Sequence, residues 1–218
     1  MKIYKTPDLA ALLIFDMDGT LYTNDVYLKS QTGLLVERLA RRLGKDLAPL
    51  EEEISRFQES WRREFPGRRS SLSIVLEAFG VSMEENIRWR EELYRPEAYL
   101  KADLRLRETL LSLADSYKLA IVTNNTVSIA ARTLRCLGVE NLFPVLVGLD
   151  TCMASKPHEI PFRRAAEESG VDTGCCISIG DRYEIDIALP LEMGMGGILV
   201  DGVEDVYALP GSLLQNWG

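Results

Sequence analysis

Residues 14–22 read IFDMDGTLY, and the run LLIF (12–15) leads straight into Asp16 and Asp18. In an extended strand, residues i and i+2 share a face, so the two carboxylates begin as close neighbours. Two unit charges about 4 Å apart repel by roughly 4 kcal/mol at an effective dielectric near 20. A buried strand that ends this way needs a shared proton, a basic partner or a metal ion beside it.

Four further apolar runs read as buried parallel strands: LAIVT (119–123), PVLVG (144–148), CCISIG (175–180) and GGILV (196–200). Amphipathic stretches such as SIAARTLRCLG (128–138) and EIPFRRAAEESG (159–170) separate most of them. Strands alternating with helices predict an α/β fold, a parallel sheet covered on both faces by helices. Ligands bind such sheets at the C-terminal strand ends. The interval 25–95 breaks the alternation, with helical periodicity in LLVERLARRLG, LEEEISRFQESWRREF, SIVLEAFG and EENIRWREELY. FPGRR (65–69) supplies a turn, and Arg95-Pro96 disfavours helix continuation. So long a connection predicts a small all-helical domain inserted after the first strand. The expected division is a core of 1–22 and 97–218 with a helical cap over 23–96.

Bulk properties narrow the function classes. With 25 Lys+Arg against 33 Asp+Glu, the net charge of −8 argues against a binder of nucleic acid polymers. A small anionic substrate held by local cations is compatible with it. The four cysteines form no CxxC pair and His158 is the only histidine, which argues against structural zinc. The adjacent Cys175-Cys176 is expected to be a pair of buried free thiols, suited to a reducing cytoplasm. The apolar run before Asp16 is too short to span a membrane, so a cytoplasmic protein without membrane association is expected.

Three more signals fall just beyond predicted strand ends. Thr123-Asn124-Asn125-Thr126 offers a hydroxyl, amides and free backbone N–H groups that suit a phosphate or a helix N-cap. Lys156, in SKPHEIPF, precedes a proline and belongs on a loop before a helix, either solvated or as a counter-cation. In GDRYEID (180–186), Gly180 permits a tight turn presenting Asp181, and Asp186 lies five residues on. Asp186 has a plainer reading as an exposed acid near a helix start. Converging carboxylates without histidine or cysteine favour Mg²⁺ over zinc. A calcium loop is excluded because Thr20 and Leu21 fill its fifth and sixth positions, and no Walker-type phosphate loop is present.

Taken in order, DMDGT, TNN, KP and GDxxxxD resemble the motifs of the haloacid dehalogenase-like superfamily of phosphohydrolases. In the core, YLKADLRLRETLLSLADSYKLAIVTNN (99–125), RTLRCLGVENLF and SKPHEIPFRRAAEESGV are similar to its pyrimidine 5'-nucleotidase-like branch. Such a resemblance implies a Rossmann-like parallel sheet flanked by helices, with a helical cap inserted after the first strand. The resemblance implies Asp16 as nucleophile, Asp18 as general acid/base, and Thr123 with the Asn124 N–H as phosphate grip. It implies Lys156 bridging nucleophile and phosphate, Asp16, Asp18 and Asp181 holding Mg²⁺, and Asp186 in support. The implied activity is Mg²⁺-dependent hydrolysis of a small phosphomonoester, such as a nucleoside monophosphate, through an aspartyl-phosphate. The other readings are a phosphomutase or phosphotransferase acting on a sugar phosphate, and a non-catalytic ligand-binding member. Gly19-Thr20-Leu21-Tyr22 is expected to be a flexible exit toward the cap. Arg62, Arg63, Arg68 and Arg69 offer a cationic rim or a solvated face, and Trp61 and Trp89 a stacking surface or a helical core.

Overall fold

All five apolar runs form strands: β2 (Leu12–Phe15), β3 (Lys118–Val122), β4 (Val145–Val147), β5 (Cys176–Gly180) and β6 (Gly196–Leu199). A computed structural model describes residues 1–213. It adds a strand the periodicity did not reveal, β1 (Lys2–Lys5), paired antiparallel to β6. KIYK is mostly exposed, so an edge position with a polar face masks it. The six-stranded order is β1-β6-β5-β2-β3-β4, with every pair except β1–β6 parallel.

Strand β2 is central and buried at every position. Its alternation splits the core: Leu13 and Phe15 join one apolar cluster with Leu110 and Leu134, while Leu12 and Ile14 join another with Phe162 and Ala165. Helices therefore cover both faces, as expected of a parallel sheet. Of the cysteine pair, only Cys176 lies in β5 and is buried, whereas Cys175 precedes the strand and is half-buried.

The interval after β2 holds four helices: α1 (Asp25–Leu43), α2 (Leu47–Glu64), α3 (Leu72–Ala78) and α4 (Met83–Leu93). Their apolar faces share one buried cluster, including Leu35, Leu39, Leu50, Leu76 and Trp89, which Ile129 joins from beyond the insertion. Helix α5 (Leu104–Ala114) then returns the chain to β3. The exit toward the cap is packed rather than flexible, since Thr20, Leu21 and Tyr22 are buried. The Asn24 amide donates to Tyr99 O at 3.0 Å, and the Tyr27 ring stacks on Tyr99 at 4.8 Å, stitching the two connections together.

The remaining helices are α6 (Val127–Leu137), α7 (Leu149–Cys152), α8 (Glu159–Ser169), α9 (Ala188–Glu192), α10 (Val203–Tyr207) and α11 (Leu209–Leu213). No helix among the described residues is long and apolar enough to cross a membrane.

Candidate active site

Register brings the motifs together. Phe15 of β2 lies opposite Ile121 of β3 and Ile179 of β5, so Asp16, Thr123 and Asp181 emerge within two residues of one level. This edge is also where chain progression along the sheet reverses, the usual ligand crevice of open α/β sheets.

Asp16 is 4% exposed and follows β2 directly. Its Oδ1 accepts from Lys156 Nζ at 2.7 Å, and the same ammonium donates to Asp186 Oδ1 at 2.6 Å. Lys156 is 1% exposed on the loop before α8, so the counter-cation reading holds and the solvated one does not. Burial opposes its charge, but Asp16 and Asp186 more than offset this and raise its pKa. Asp186 is likewise 1% exposed rather than a surface acid. It lies in a wide turn of helix over Tyr183–Ile187, and its Oδ2 accepts from Arg182 N at 3.1 Å. Burial raises the Asp186 pKa, with Lys156 opposing the rise.

The reason for Gly180 differs from the expected tight turn. A Cβ there would sit 2.4 Å from the Asp186 Cβ, so glycine makes room for that side chain. Gly19 meets both demands, with φ +79° and space for a Cβ only 2.5 Å from Asp181 Oδ2.

One oxygen each of Asp16, Asp181 and Asp186 lies within 4.8 Å of the others. Asp16 Oδ2 and Asp181 Oδ1 are buried without hydrogen-bond partners. Burial and the Asp16 charge push the Asp181 pKa up to about 7. Two orphaned oxygens in an all-oxygen donor set fit a hard divalent cation such as Mg²⁺. The motif reading missed Arg182, whose guanidinium stands 3.5 Å from Asp181 Oδ1 and 3.6 Å from Asp16 Oδ2. A neighbour of an acidic motif carries no periodic signal, and its role appears only once the acids are assembled.

Asp18 sits slightly apart, its carboxylate turned toward the cap. Oδ1 accepts from the Tyr22 hydroxyl and from Gln31 Nε2 at 3.4 Å, and Oδ2 accepts from Asn125 Nδ2 at 2.6 Å. Burial and the Asp16 charge raise its pKa, which favours a proton-bearing acid.

The Thr123-Asn124-Asn125 run divides its work. Thr123 N donates to Val147 O at 3.0 Å, and Thr123 Oγ1 accepts from Asn125 N at 3.2 Å. The N-cap of α6 is Thr126, leaving the Asn124 N–H without a protein acceptor among the described residues. The Asn124 side chain clasps the Lys156 main chain, accepting from its N–H at 2.7 Å and donating to its C=O at 3.1 Å.

Under the cap a cavity of about 240 Å³ opens between Asp18, Asn124, Asp181 and Arg182 below and Gln31, Arg90 and Tyr94 above. Arg62, Arg63, Arg68 and Arg69 are solvent-exposed and do not line it. Trp89 is buried in the cap's apolar cluster, whereas Trp61 is half-buried and packs on Phe65 with centroids 4.4 Å apart; neither lines the cavity. The cap's cation at the cavity is Arg90, which lies mid-helix among other charged residues and carries no motif.

Comparison with known proteins bears on the family and the fold. A phosphoglycolate phosphatase from Colwellia psychrerythraea is 40% identical over 77 residues, 35% of this chain and 34% of that protein. The chain thus spans about a third of the length of the first curated relatives it matches. The pyrophosphatase PpaX of Bacillus pumilus is 27% identical over 187 residues, covering 78% of this chain and 74% of the relative. In fold, the chain is similar to the crystal structure of a HAD phosphatase from Thermococcus onnurineus. That likeness has TM-score 0.59 at 23% identity, covering 93% of this chain and 97% of that one. The family model for haloacid dehalogenase-like hydrolase matches residues 10–194, the span carrying the acids at the strand ends, the lysine and the inserted helices. With both the motifs and the fold that places them accounted for, the chain belongs to the haloacid dehalogenase-like hydrolase family.

Proposed function

We propose that the chain is a phosphatase hydrolysing a small phosphomonoester through a phosphorylated Asp16. The observation that carries this is the state of the Asp16 carboxylate. Lys156 fixes one oxygen, and the other is buried with no hydrogen bond, 3.6 Å from the guanidinium of Arg182, which lines the cavity. An oriented carboxylate oxygen beside cations can attack phosphorus, because those charges lower its repulsion with the phosphate dianion.

In this reading Asp18 donates its proton to the departing alkoxide and later takes one from the attacking water. Burial and the Asp16 charge raise its pKa against the hydrogen bonds it accepts from Tyr22 and Gln31, and those bonds with that from Asn125 fix its orientation. Thr123 and the Asn124 N–H grip the phosphoryl oxygens. Lys156 bridges nucleophile and phosphate, and Asp186 holds Lys156 in place. Asp16 and Asp181, with the Asp18 main chain, are the Mg²⁺ ligands of this reading, and bound Mg²⁺ would neutralise charge on the transferring group.

The proposed division keeps 1–22 and 97–218 as core and 23–96 as cap, supported by an apolar cluster that draws all but one of its buried members, Ile129, from 23–96. A cavity of about 240 Å³ lies below the roughly 300–1,000 Å³ of pockets for drug-sized ligands. Its size favours a substrate smaller than the nucleoside monophosphate that the resemblance of the core implies. The names of the relatives, a phosphoglycolate phosphatase and a pyrophosphatase, differ in substrate while both denoting hydrolysis at phosphorus.

The test is a phosphate-release panel of an aryl phosphate, sugar phosphates, phosphoglycolate, pyrophosphate and nucleoside monophosphates, with Mg²⁺ and with EDTA. Release with Mg²⁺ that EDTA abolishes is the expected result. No release from any member of the panel sinks the enzymatic reading, and competition by acceptor sugars would favour phosphoryl transfer to a sugar.

A further inference from the structure

Arg182 stands beside the acids without bonding to them. Its Nε lies 3.5 Å from Asp181 Oδ1 and 3.8 Å from Asp186 Oδ2, and its Nη2 lies 3.6 Å from Asp16 Oδ2. Lys156, by contrast, donates to Asp16 and Asp186 at 2.7 and 2.6 Å. Arg182 Nε is buried with no hydrogen-bond partner, as are Asp16 Oδ2 and Asp181 Oδ1, two of the oxygens it faces. Among the described residues the guanidinium donates no hydrogen bond, and only the Arg182 main-chain N–H bonds to Asp186. The side chain is 38% exposed and lines the cavity beside Asp18, Asn124 and Asp181.

A charge so placed is needed by the acids and yet poorly matched to them. Asp16, Asp181 and Asp186 face Lys156 and Arg182, so with Asp18 protonated the cluster holds one negative charge in surplus. In the metal-free protein the guanidinium therefore lowers the repulsion among the three carboxylates. It would itself be repelled by a divalent cation on the two orphaned oxygens. No hydrogen bond has to break for it to turn from the acids into the cavity. Its whole fork is undonated, and parallel N–H···O bonds to two phosphoryl oxygens are the pairing such a fork makes best.

We propose that Arg182 is a phosphate-binding residue that changes partner, facing the carboxylates in the metal-free protein and gripping phosphoryl oxygens in the Mg²⁺-loaded one. This rests on the phosphatase reading of the site and deepens it. Its consequence is a pair of opposed effects, because the same charge weakens Mg²⁺ binding and strengthens phosphate binding.

The experiment is calorimetry at pH 8, above the Asp181 pKa of about 7. Mg²⁺ is titrated alone, and then methylphosphonate, which has phosphoryl oxygens and no leaving group, is titrated into the Mg²⁺-loaded protein. Arg182→Gln should lower the Mg²⁺ Kd by about 5-fold or more and raise the methylphosphonate Kd by about 10-fold or more. Arg182→Lys keeps the charge without the fork. It should hold the Mg²⁺ Kd within about 3-fold of the wild type and lose part of the phosphonate affinity. A merely structural arginine would weaken both ligands together on removal. Parallel weakening in Arg182→Gln, or two unchanged constants, overturns the proposal. Should Arg182→Gln fail to fold, Arg182→Lys still decides, because a wild-type phosphonate Kd there overturns it as well. Hydrolysis of an aryl phosphate by the wild type with Mg²⁺ is measured alongside. With hydrolysis present and no opposed shift, only the role of Arg182 falls, whereas absent hydrolysis strikes the phosphatase reading itself.

Discussion

Asn124 holds Lys156 by its main chain, with Oδ1 2.7 Å from the Lys156 nitrogen and Nδ2 3.1 Å from its carbonyl oxygen. The loop bearing the buried ammonium is thereby fixed to the end of β3, the strand beside the nucleophile's own. Asn124→Ala removes both bonds, and a displacement of Lys156 by about 1 Å is enough to cost on the order of 100-fold in rate. The expected result is a fall in kcat on an aryl phosphate larger than the rise in KM, with about 1–3 kcal/mol lost in denaturant unfolding. Asn124→Asp keeps the acceptor for the Lys156 N–H and should recover part of the rate. Wild-type kcat in Asn124→Ala would show that the clasp has no part in turnover.

The two acids of IFDMDGTLY should fail in different ways. Asp16→Asn removes the proposed nucleophile together with one charge facing Lys156, so phosphate release should stop altogether. Asp18→Asn leaves Asp16 and Lys156 untouched, and an aryl phosphate with a good leaving group needs little help from an acid to phosphorylate Asp16. Intact-protein mass spectrometry of Asp18→Asn after mixing with that ester should find one added phosphoryl group that turns over slowly. Asp16→Asn should show none. Equal labelling of both variants would place the nucleophile elsewhere.

The parts of the fold that read directly from sequence depend on local repetition. The five buried strands announce themselves as continuous apolar runs, and the four inserted helices as amphipathic periods. Asp16, Asp181 and Lys156 were legible because residue types at strand ends report chemistry before any contact is known. What stayed hidden is set by distant packing. KIYK is mostly exposed and pairs only with β6, so its two strand-favouring residues, Ile3 and Tyr4, form no buried apolar run that would mark a strand. The partners of Arg90 come from α3, α4 and the loop after β3, a meeting that no spacing within the cap encodes. Four exposed arginines near FPGRR drew attention by number, while the single buried one at the cavity did not.

Gly180 converts one of those long-range facts into a test. Its missing Cβ makes space for Asp186, whose own Cβ would otherwise be 2.4 Å away. Gly180→Ala must displace the side chain that accepts from Lys156 at 2.6 Å. Overpacking of this kind costs about 1–3 kcal/mol, and the disturbed Lys156 should lower kcat well beyond what the loss of folded protein explains. Asp186→Asn, which keeps the shape and removes the charge, should lower kcat with a smaller change in thermal midpoint. If Gly180→Ala matches the wild type in both measurements, Asp186 is not confined as its position indicates.

Stability should fall as pH rises in protein stripped of divalent metal. Burial and the neighbouring Asp16 charge push Asp181 from 3.8 up to about 7, and Asp18 and Asp186 shift in the same direction. For these acids the folded state holds the proton more tightly than the unfolded chain does. Their contribution is therefore complete below the unfolded pKa near 3.8 and, for Asp181, is lost as pH rises through about 7. The metal-free protein should melt several degrees lower at pH 8 than at pH 5, taking roughly 2–4 °C per kcal/mol for a chain of this size. Mg²⁺ at about 100 times its Kd should restore about 2.7 kcal/mol at pH 8. The gain should shrink at pH 5, where protons compete for the same oxygens. Asp181→Asn should flatten the pH slope and blunt the response to Mg²⁺ together. A variant that keeps both would assign the titration and the cation to other carboxylates.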